Sequence, residues 1–186
     1  MSVLMQGDTT RLRVWDLPTR LFHWSLVASF AAAFITAESE KLRDIHVIAG
    51  YTLAGLITFR LLWGFVGGAY SRFAEFLPTP GTVIGYLKSL LKGNPQHHVG
   101  HNPAGAVAIF LLLGFGIAAT VSGWAVYEDT GGRLMEELHE GASNGMMAIV
   151  LIHIAGVIVS SWLHRENLVL AMITGWKKAR RDRVSV

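Results

Sequence analysis

Four long apolar blocks, separated by polar stretches, dominate the hydrophobic pattern of this chain. They cover about residues 21–37, 45–67, 105–127 and 139–164. Each block approaches the roughly 20 residues that an α-helix needs to cross a bilayer, and the first is the shortest. The pattern therefore predicts an all-α fold, an integral membrane four-helix bundle, in which residues 1–186 form a single membrane domain.

The connection between the second and third blocks contains a weaker, amphipathic pattern. After Pro80 the stretch GTVIGYLKSLLKG places four apolar side chains on one helical face: Val83, Leu87, Leu90 and Leu91. This spacing predicts a short helix over about residues 81–92. The helix is expected either to lie in the membrane interface or to pack against the bundle.

Composition agrees with a membrane protein and limits the chemistry. The 186 residues are 52% hydrophobic, and the mean hydropathy is +0.41. Cysteine is absent, which excludes disulfides, thiolate metal sites, iron–sulfur clusters and covalent c-type haem. The net charge is +3, but the basic residues are not interleaved with aromatic ones. The sequence therefore favours a lipid bilayer, and no nucleic acid, as partner.

The distribution of lysine and arginine predicts the orientation of the bundle. Of the 16 basic residues, only Lys41, Arg43 and Arg133 fall in the connections on one side of four spans. Because cytoplasmic connections carry an excess of such residues, both termini are expected in the cytoplasm. Residues 1–20 contain neither the uninterrupted apolar core nor the cleavage site of a signal peptide.

Histidines within the apolar blocks are the candidate functional residues, because an ionisable side chain in a membrane is costly without a partner. His139 and His153 are 14 positions apart, so on one helix they lie within about 40° of one face and about 21 Å apart. Depth in the bilayer pairs His139 with His46 (the outer pair) and His153 with His23 (the inner pair). Paired neutral imidazoles from facing helices are natural axial ligands of non-covalent haem iron.

His164 competes with His153 for the inner pair, since it lies close to the same helical face. It would sit about 37 Å from His139, beyond the roughly 30 Å hydrocarbon core, so depth favours His153. Small residues near the ligands, Ala28, Gly50 and Gly156, leave room for a macrocycle.

Two arginines, Arg20 and Arg60, lie near the predicted inner pair. Arg60 follows His46 by 14 positions, and Arg20 precedes His23 by about one turn. Haem carboxylates need cationic partners when they are poorly solvated, so both are candidate contacts for them. Both could instead extend to the lipid headgroups.

Several motifs together resemble a known family. They are R-L-F-H-W at Arg20–Trp24, I-H-V-I-A-G-Y at Ile45–Tyr51, G-H-N-P-A-G-A at Gly100–Ala106, and the two histidines of the last block. Over about Val14–Lys178 the ordered set resembles the transmembrane di-haem b-type cytochromes. These are the bacterial cytochrome b561 type and the b-type cytochrome subunits of nickel–iron hydrogenases and formate dehydrogenases.

The resemblance implies a four-helix bundle of the bacterial inner membrane with two haems b. Its axial ligands, carried over by position, are His23, His46, His139 and His153. Hydrogenase subunits of the family often have an additional helix, whereas this chain shows no clear fifth span.

The resemblance also implies a function in a respiratory chain. Electrons would pass between membrane quinone and a periplasmic or membrane-bound redox partner protein. His101 and Asn102 are then candidates for the quinone site, although Asn102 before Pro103 is also typical of a helix N-cap. His97 and His98 are expected to be exposed.

The residues leave other functions open. The same histidines could serve a haem-free proton relay or transporter, and the chain could be the membrane anchor subunit of a dehydrogenase. Whether it has quinone oxidoreductase activity of its own is equally open. Acidic residues between the third and fourth blocks could dock a basic periplasmic partner, or could simply be solvated: Glu128, Asp129, Glu136 and Glu137.

Overall fold

The computed structural model of the protein describes residues 9–93, 98 and 100–180, and within this part the chain is predominantly helical. The elements in chain order are β1 (Thr9–Arg13), α1 (Leu17–Thr36), α2 (Arg43–Val66), α3 (Pro80–Leu91), α4 (Pro103–Tyr127), α5 (Gly132–His164), α6 (Leu168–Thr174) and β2 (Trp176–Arg180). Two short 3₁₀ turns lie at Glu40–Leu42 and Phe73–Glu75.

Three helical segments are long and apolar enough to cross a membrane. They are Glu40–Val66, Pro103–Tyr127 and Gly132–His164, which contain α2, α4 and α5. The first apolar block forms α1, a helix of 20 residues that carries Arg20 and His23 in its first two turns. It is not among the candidate spans, so the fourth span and the sides of the two termini stay predictions.

The long helices begin and end at residues that satisfy their free backbone groups. The side chain of Asp16 accepts a hydrogen bond from the Thr19 N–H at the start of α1 (2.8 Å). Asn102 does the same for Gly105 at the start of α4 (2.7 Å). α5 starts before the predicted apolar block, at Gly132. Its N-cap, Gly131, adopts a left-handed conformation (φ 80°) that glycine allows, and the helix follows it directly.

The long helices pack in sequence, with α1 against α2, α2 against α4 and α4 against α5. Small residues mark the closest approaches: a Cβ on Gly116 would lie 2.7 Å from Ile57 of α2, and one on Gly145 would lie 2.5 Å from Phe115 of α4. The backbone of α5 closely approaches mainly α4 and α6. The side of α5 that carries the two predicted haem ligands faces α1 and α2 at a greater distance.

A two-stranded antiparallel sheet joins the two described ends of the chain, which the sequence did not predict. β1 and β2 pair from Thr9 with Arg180 to Arg13 with Trp176. The N–H groups of Val14 and Trp15 donate to the carbonyl of Gly175. We call this end of the bundle, which contains the starts of α1 and α4 and the ends of α2 and α5, the terminal end.

α3 occupies the stretch of the predicted short helix. Tyr86 is its most buried side chain, 1% exposed, and its hydroxyl lies 3.5 Å from Ser160 Oγ on α5. Leu87 and Leu91, two of the four residues expected on its apolar face, are 46% and 89% exposed. One side of α3 therefore packs against the bundle, and its position relative to a membrane interface stays a prediction.

Candidate functional site

The structure brings the outer pair together across α2 and α5. The ring centroids of His46 and His139 are 6.0 Å apart, and the ring planes are nearly perpendicular, at 87°. Both side chains are partly buried. The two imidazoles were paired from sequence by depth alone, and here they are direct neighbours.

Backbone carbonyls fix the orientation of both rings of the outer pair. His46 Nδ1 lies 2.8 Å from the carbonyl of Ala33 on α1, and His139 Nδ1 lies 2.8 Å from the carbonyl of Ala119 on α4. A carbonyl can only accept, so each Nδ1 must carry the proton. In a neutral ring this leaves Nε2 with a free lone pair, which is the state that a metal ligand needs.

Glycines leave space around the outer pair. A Cβ on Gly123 of α4 would lie 2.8 Å from Cε1 and 2.9 Å from Nδ1 of His139, so only glycine accommodates this ring position. Gly50, one turn after His46, has no atom within 4 Å of its would-be Cβ. The space expected from the sequence at Gly50 is therefore present.

The inner pair is assembled less completely. His23 on α1 and His153 on α5 are partly buried and close enough to interact electrostatically. The Nδ1 atom of His23 is buried and has no hydrogen-bond partner among the described residues. His164 is the last residue of α5, and the electrostatic neighbour of His23 is His153 rather than His164.

The two candidate arginines have different surroundings. Arg20 donates from Nη1 to the carbonyl of Ile173 at the end of α6 (2.6 Å), while its Nε is buried without a partner. Arg60 is only 4% exposed, and its guanidinium lies over the ring of Phe73 at 4.5 Å. Arg60 therefore does not extend to the surface of the protein.

The adjacent residues His101 and Asn102 also have different surroundings. Asn102 is the N-cap of α4, as one of the two sequence interpretations expected, and its amide donates to Ser160 Oγ (3.4 Å). The His101 ring lies between Trp15 (4.6 Å) and Phe76 (4.4 Å). Burial, followed by the charge of Arg60, lowers the pKa of His101 to about 3, so this imidazole is neutral at physiological pH.

Of the other two histidines in the loop, His97 lies outside the described residues. The expectation that His98 is exposed was wrong. Its ring contacts Tyr86 of α3 at 5.6 Å, and its carbonyl accepts from Lys177 Nζ (3.4 Å). These contacts place His98 between Tyr86 of α3 and Lys177 of β2, and it is only partly exposed.

Asp16, the N-cap of α1 at the terminal end, makes partly buried polar contacts that the sequence did not predict. Besides capping α1, its carboxylate accepts from Ser71 Oγ (3.0 Å) and Trp63 Nε1 (3.3 Å). Burial alone raises the pKa of Asp16, but the hydrogen bonds outweigh it and the pKa is lowered below 3.8. The sequence Asp-Leu-Pro is a helix-start signal that could have revealed the cap, though not the contacts with α2 and Ser71.

The residues present fit a haem held by two imidazoles. Metal–imidazole bonds are about 2 Å long, so two rings that ligate one metal from opposite sides have centroids about 6 Å apart. The outer pair matches this separation and has both Nε2 atoms free. Four buried nitrogens lack a partner among the described residues, and all belong to residues at or near the terminal end: Arg20, His23, Arg60 and His101.

Comparison with known proteins identifies the family. The sequence model of prokaryotic cytochrome b561 matches residues 14–175. The chain belongs to the prokaryotic cytochrome b561 family. Membership implies membrane electron transfer by a b-type cytochrome, and therefore haem b. Together with three apolar helices of spanning length, it shows a membrane-spanning protein, as the sequence motifs indicated.

Similar proteins are named as subunits of hydrogenases. The chain is 24% identical to the probable Ni/Fe-hydrogenase B-type cytochrome subunit of Azotobacter vinelandii, covering 94% of this chain and 91% of that protein. It is 23% identical to the probable Ni/Fe-hydrogenase 1 B-type cytochrome subunit of Escherichia coli K12, covering 92% and 93%. No solved structure matches the chain. The first alignment extends over 221 positions, so that relative contains segments with no counterpart in these 186 residues.

Proposed function

We propose that this cytochrome carries electrons across the bilayer through two bis-histidine haems b. His46 and His139 ligate the outer haem, and His23 and His153 ligate the inner haem. The observation that carries the proposal is the outer pair: two imidazoles 6.0 Å apart, each with Nδ1 engaged by a backbone carbonyl. A packing histidine needs no second imidazole at this distance with its orientation fixed in the same way.

We infer four spans with both termini in the cytoplasm. The pairing of β1 with β2 brings the two described chain ends to one end of the molecule, which supports an even number of crossings. The helix α1 packs against α2 and carries His23 of the inner pair. The excess of lysine and arginine at the terminal end supports a cytoplasmic location for it.

The electron partners follow from this orientation. Membrane quinone or quinol reacts at the terminal end, close to the inner haem, and a redox protein delivers or receives electrons at the other end or within the membrane. The names of the relatives make a hydrogenase one candidate partner. The exposed acids Glu128 and Asp129 lie in the α4–α5 turn, where a basic periplasmic protein could dock.

The protein supplies position and electrostatics, while the bound haems supply reversible one-electron chemistry. Backbone carbonyls hold His46 and His139 in the tautomer that presents Nε2. The 14-residue spacing along α5 sets the two sites about 21 Å apart along the axis. Moving one charge across the full membrane changes the free energy by about 2.3 kcal/mol per 100 mV, so partner potentials determine the direction.

The test is a dithionite-reduced minus oxidised visible spectrum of the detergent-purified protein, with haem quantified per chain. We expect b-type bands and two haems per chain. A colourless protein after expression with ample haem would refute the proposal and return the histidines to a proton-relay or transporter function. A co-purified soluble dehydrogenase without quinone reactivity would instead indicate an anchor subunit.

A further inference from the structure

Arg60 is a buried cation whose counter-charge is incomplete. Its side chain is 4% exposed and is enclosed by Phe73 and Phe76, whose ring centroids lie 4.5 and 6.0 Å from its Cζ. Nη1 has no hydrogen-bond partner, and Arg60 is in none of the ion pairs formed within the described part of the chain. A buried guanidinium without acceptors and a counter-charge is strongly destabilising. An anionic hydrogen-bond acceptor beside Arg60 would therefore be stabilising.

Asp16 does not fill this position. It is close enough to act electrostatically on Arg60, but its carboxylate is occupied by donors from Thr19, Ser71 and Trp63. No hydrogen bond joins Asp16 to Arg60 among the described residues. The guanidinium therefore retains donor capacity for another acceptor.

His101 presents a second unsatisfied polar atom beside the same aromatic ring, and this atom is a donor when Nδ1 carries the proton of the neutral imidazole. Phe76 contacts the His101 ring at 4.4 Å and lies 6.0 Å from the Arg60 guanidinium carbon. The Nδ1 atom of His101 is buried without a partner. His101 is also within electrostatic range of both Arg60 and His153. Arg60 of α2 and His101 at the start of α4 thus lie near the same Phe76 ring, and His101 is also near the proposed inner haem ligand His153.

We propose that Arg60 and His101 together form the binding site for one carboxylate of the inner haem. The inference rests on the proposed function and gives His101 a partner other than quinone. A carboxylate only accepts hydrogen bonds, and it balances the charge of Arg60. A quinone carbonyl would accept from His101 but would leave the guanidinium charge uncompensated. A lipid phosphate could balance the same charge, and the experiment below distinguishes it from a haem carboxylate.

The experiment compares haem b with its dimethyl ester, which has no ionisable carboxylate. Apoprotein of the His139→Ala variant, which leaves only the inner site, is reconstituted with each form, and dissociation constants are measured by absorbance. The ester should bind about 10- to 100-fold more weakly, the loss expected for charged hydrogen bonds. Adding Arg60→Gln or His101→Phe should weaken haem b binding and reduce the preference for it over the ester.

Control variants distinguish the loss of the Arg60 charge from a general effect of removing an arginine in this region. Arg60→Lys keeps the charge and should retain part of the preference. Arg72→Gln changes an exposed arginine that pairs with Glu75 in the connection that contains Phe73 and Phe76. This variant should keep the full preference. By redox titration, Arg60→Gln should lower the midpoint potential of the inner haem, because a nearby cation stabilises the reduced state.

Three results would overturn the inference. Equal binding of haem b and the ester to the unsubstituted site would exclude a carboxylate contact. Loss of co-purified anionic phospholipid in Arg60→Gln, with haem affinity and potential unchanged, would assign the site to a lipid phosphate. Slower quinol oxidation in His101→Phe, with unchanged haem affinity and potential, would assign His101 to quinone. Failure of the His139→Ala protein to bind any haem would instead refute the proposed function.

Discussion

The outer and inner histidine pairs are built in different ways. At the outer pair the backbone does the positioning: carbonyls of Ala33 and Ala119 hold the rings, and Gly123 leaves the space for one of them. Around the inner pair, side chains from loops and helix ends surround the two histidines, and buried nitrogens of His23, Arg60 and His101 have no partner in the described part of the chain. Both Nδ1 atoms of the outer pair are thus held by hydrogen bonds, whereas polar atoms around the inner pair are not.

This difference shows where each site obtains its stability. Backbone carbonyls of helices stay in place whether or not a cofactor binds, so the outer ligands are pre-oriented. Buried donors without acceptors cost free energy, so the inner site gains more from the groups that a cofactor brings. We therefore expect the inner site to respond to changes in its polar surroundings, and the outer site to respond to changes in shape.

The largest expected effect is loss of one complete haem. His139→Ala should abolish the outer haem and retain the inner one, and His153→Ala should do the reverse, because the two pairs share no ligand. Haem per chain and the remaining reduced spectrum measure both outcomes. His164→Ala is the matched control on α5 and should keep two haems. Two haems in His153→Ala would show that another residue ligates the inner iron.

The shape dependence of the outer site can be tested by Gly123→Ala. The added Cβ would lie 2.8 Å from His139 Cε1 and 2.9 Å from Nδ1, so the ring must shift and its hydrogen bond to the Ala119 carbonyl is disturbed. Disturbing such an orienting contact typically lowers metal affinity about 10- to 100-fold, and we expect this for the outer haem only. Gly114→Ala is the control on the same helix, since its Cβ meets no atom within 4 Å. Equal effects of the two substitutions would contradict the proposed packing.

Much of this organisation could be predicted from the sequence. Hydrophobic blocks gave the long helices, and the spacing of His139 and His153 on one helix, combined with depth, paired His139 with His46. Those arguments use helix geometry alone, which is local and regular. The Asn102 cap is likewise a local signal, because a cap depends on residues within one turn.

The terminal end could not be predicted in the same way. The β1–β2 pairing joins residues 9–13 to 176–180, and no local pattern specifies a partner so distant in the chain. The contacts of Asp16 with Trp63 and Ser71 likewise join segments about fifty residues apart. The burial of Arg60 under Phe73 depends on how the α2–α3 connection folds back, and spacing along α2 does not contain that information.

A smaller effect is expected from the ion pair that supports the terminal end. Lys177 Nζ lies 3.4 Å from Glu166 Oε2, and the two side chains are only 8% and 15% exposed. Glu166→Gln leaves a buried ammonium with a neutral partner and should lower the free energy of unfolding by about 2 kcal/mol. Denaturation in detergent, followed by the haem absorbance of each site, measures it.

The control for this prediction is an exposed pair at the other end of the bundle. Arg133 and Glu137 are 88% and 60% exposed, so Glu137→Gln should cost less than about 0.5 kcal/mol. If Glu137→Gln destabilised the protein as much as Glu166→Gln, the contrast between a side-chain-supported terminal end and a backbone-supported outer site would fail.

The smallest expected effect concerns the charge of Asp16. Asparagine is an equally good N-cap, so Asp16→Asn keeps the start of α1 and loses the carboxylate acceptor of Trp63 and Ser71. We expect a loss of about 1 kcal/mol at neutral pH. The pKa of Asp16 is lowered on folding from its ordinary 3.8, so its stabilisation is present above that pH and is lost as the pH falls through the lowered value. Unfolding measured from pH 7 to pH 3 should therefore show the difference between protein and variant shrinking at the acid end. A difference that grows on acidification would mean that the carboxylate is held protonated, with its pKa raised by burial.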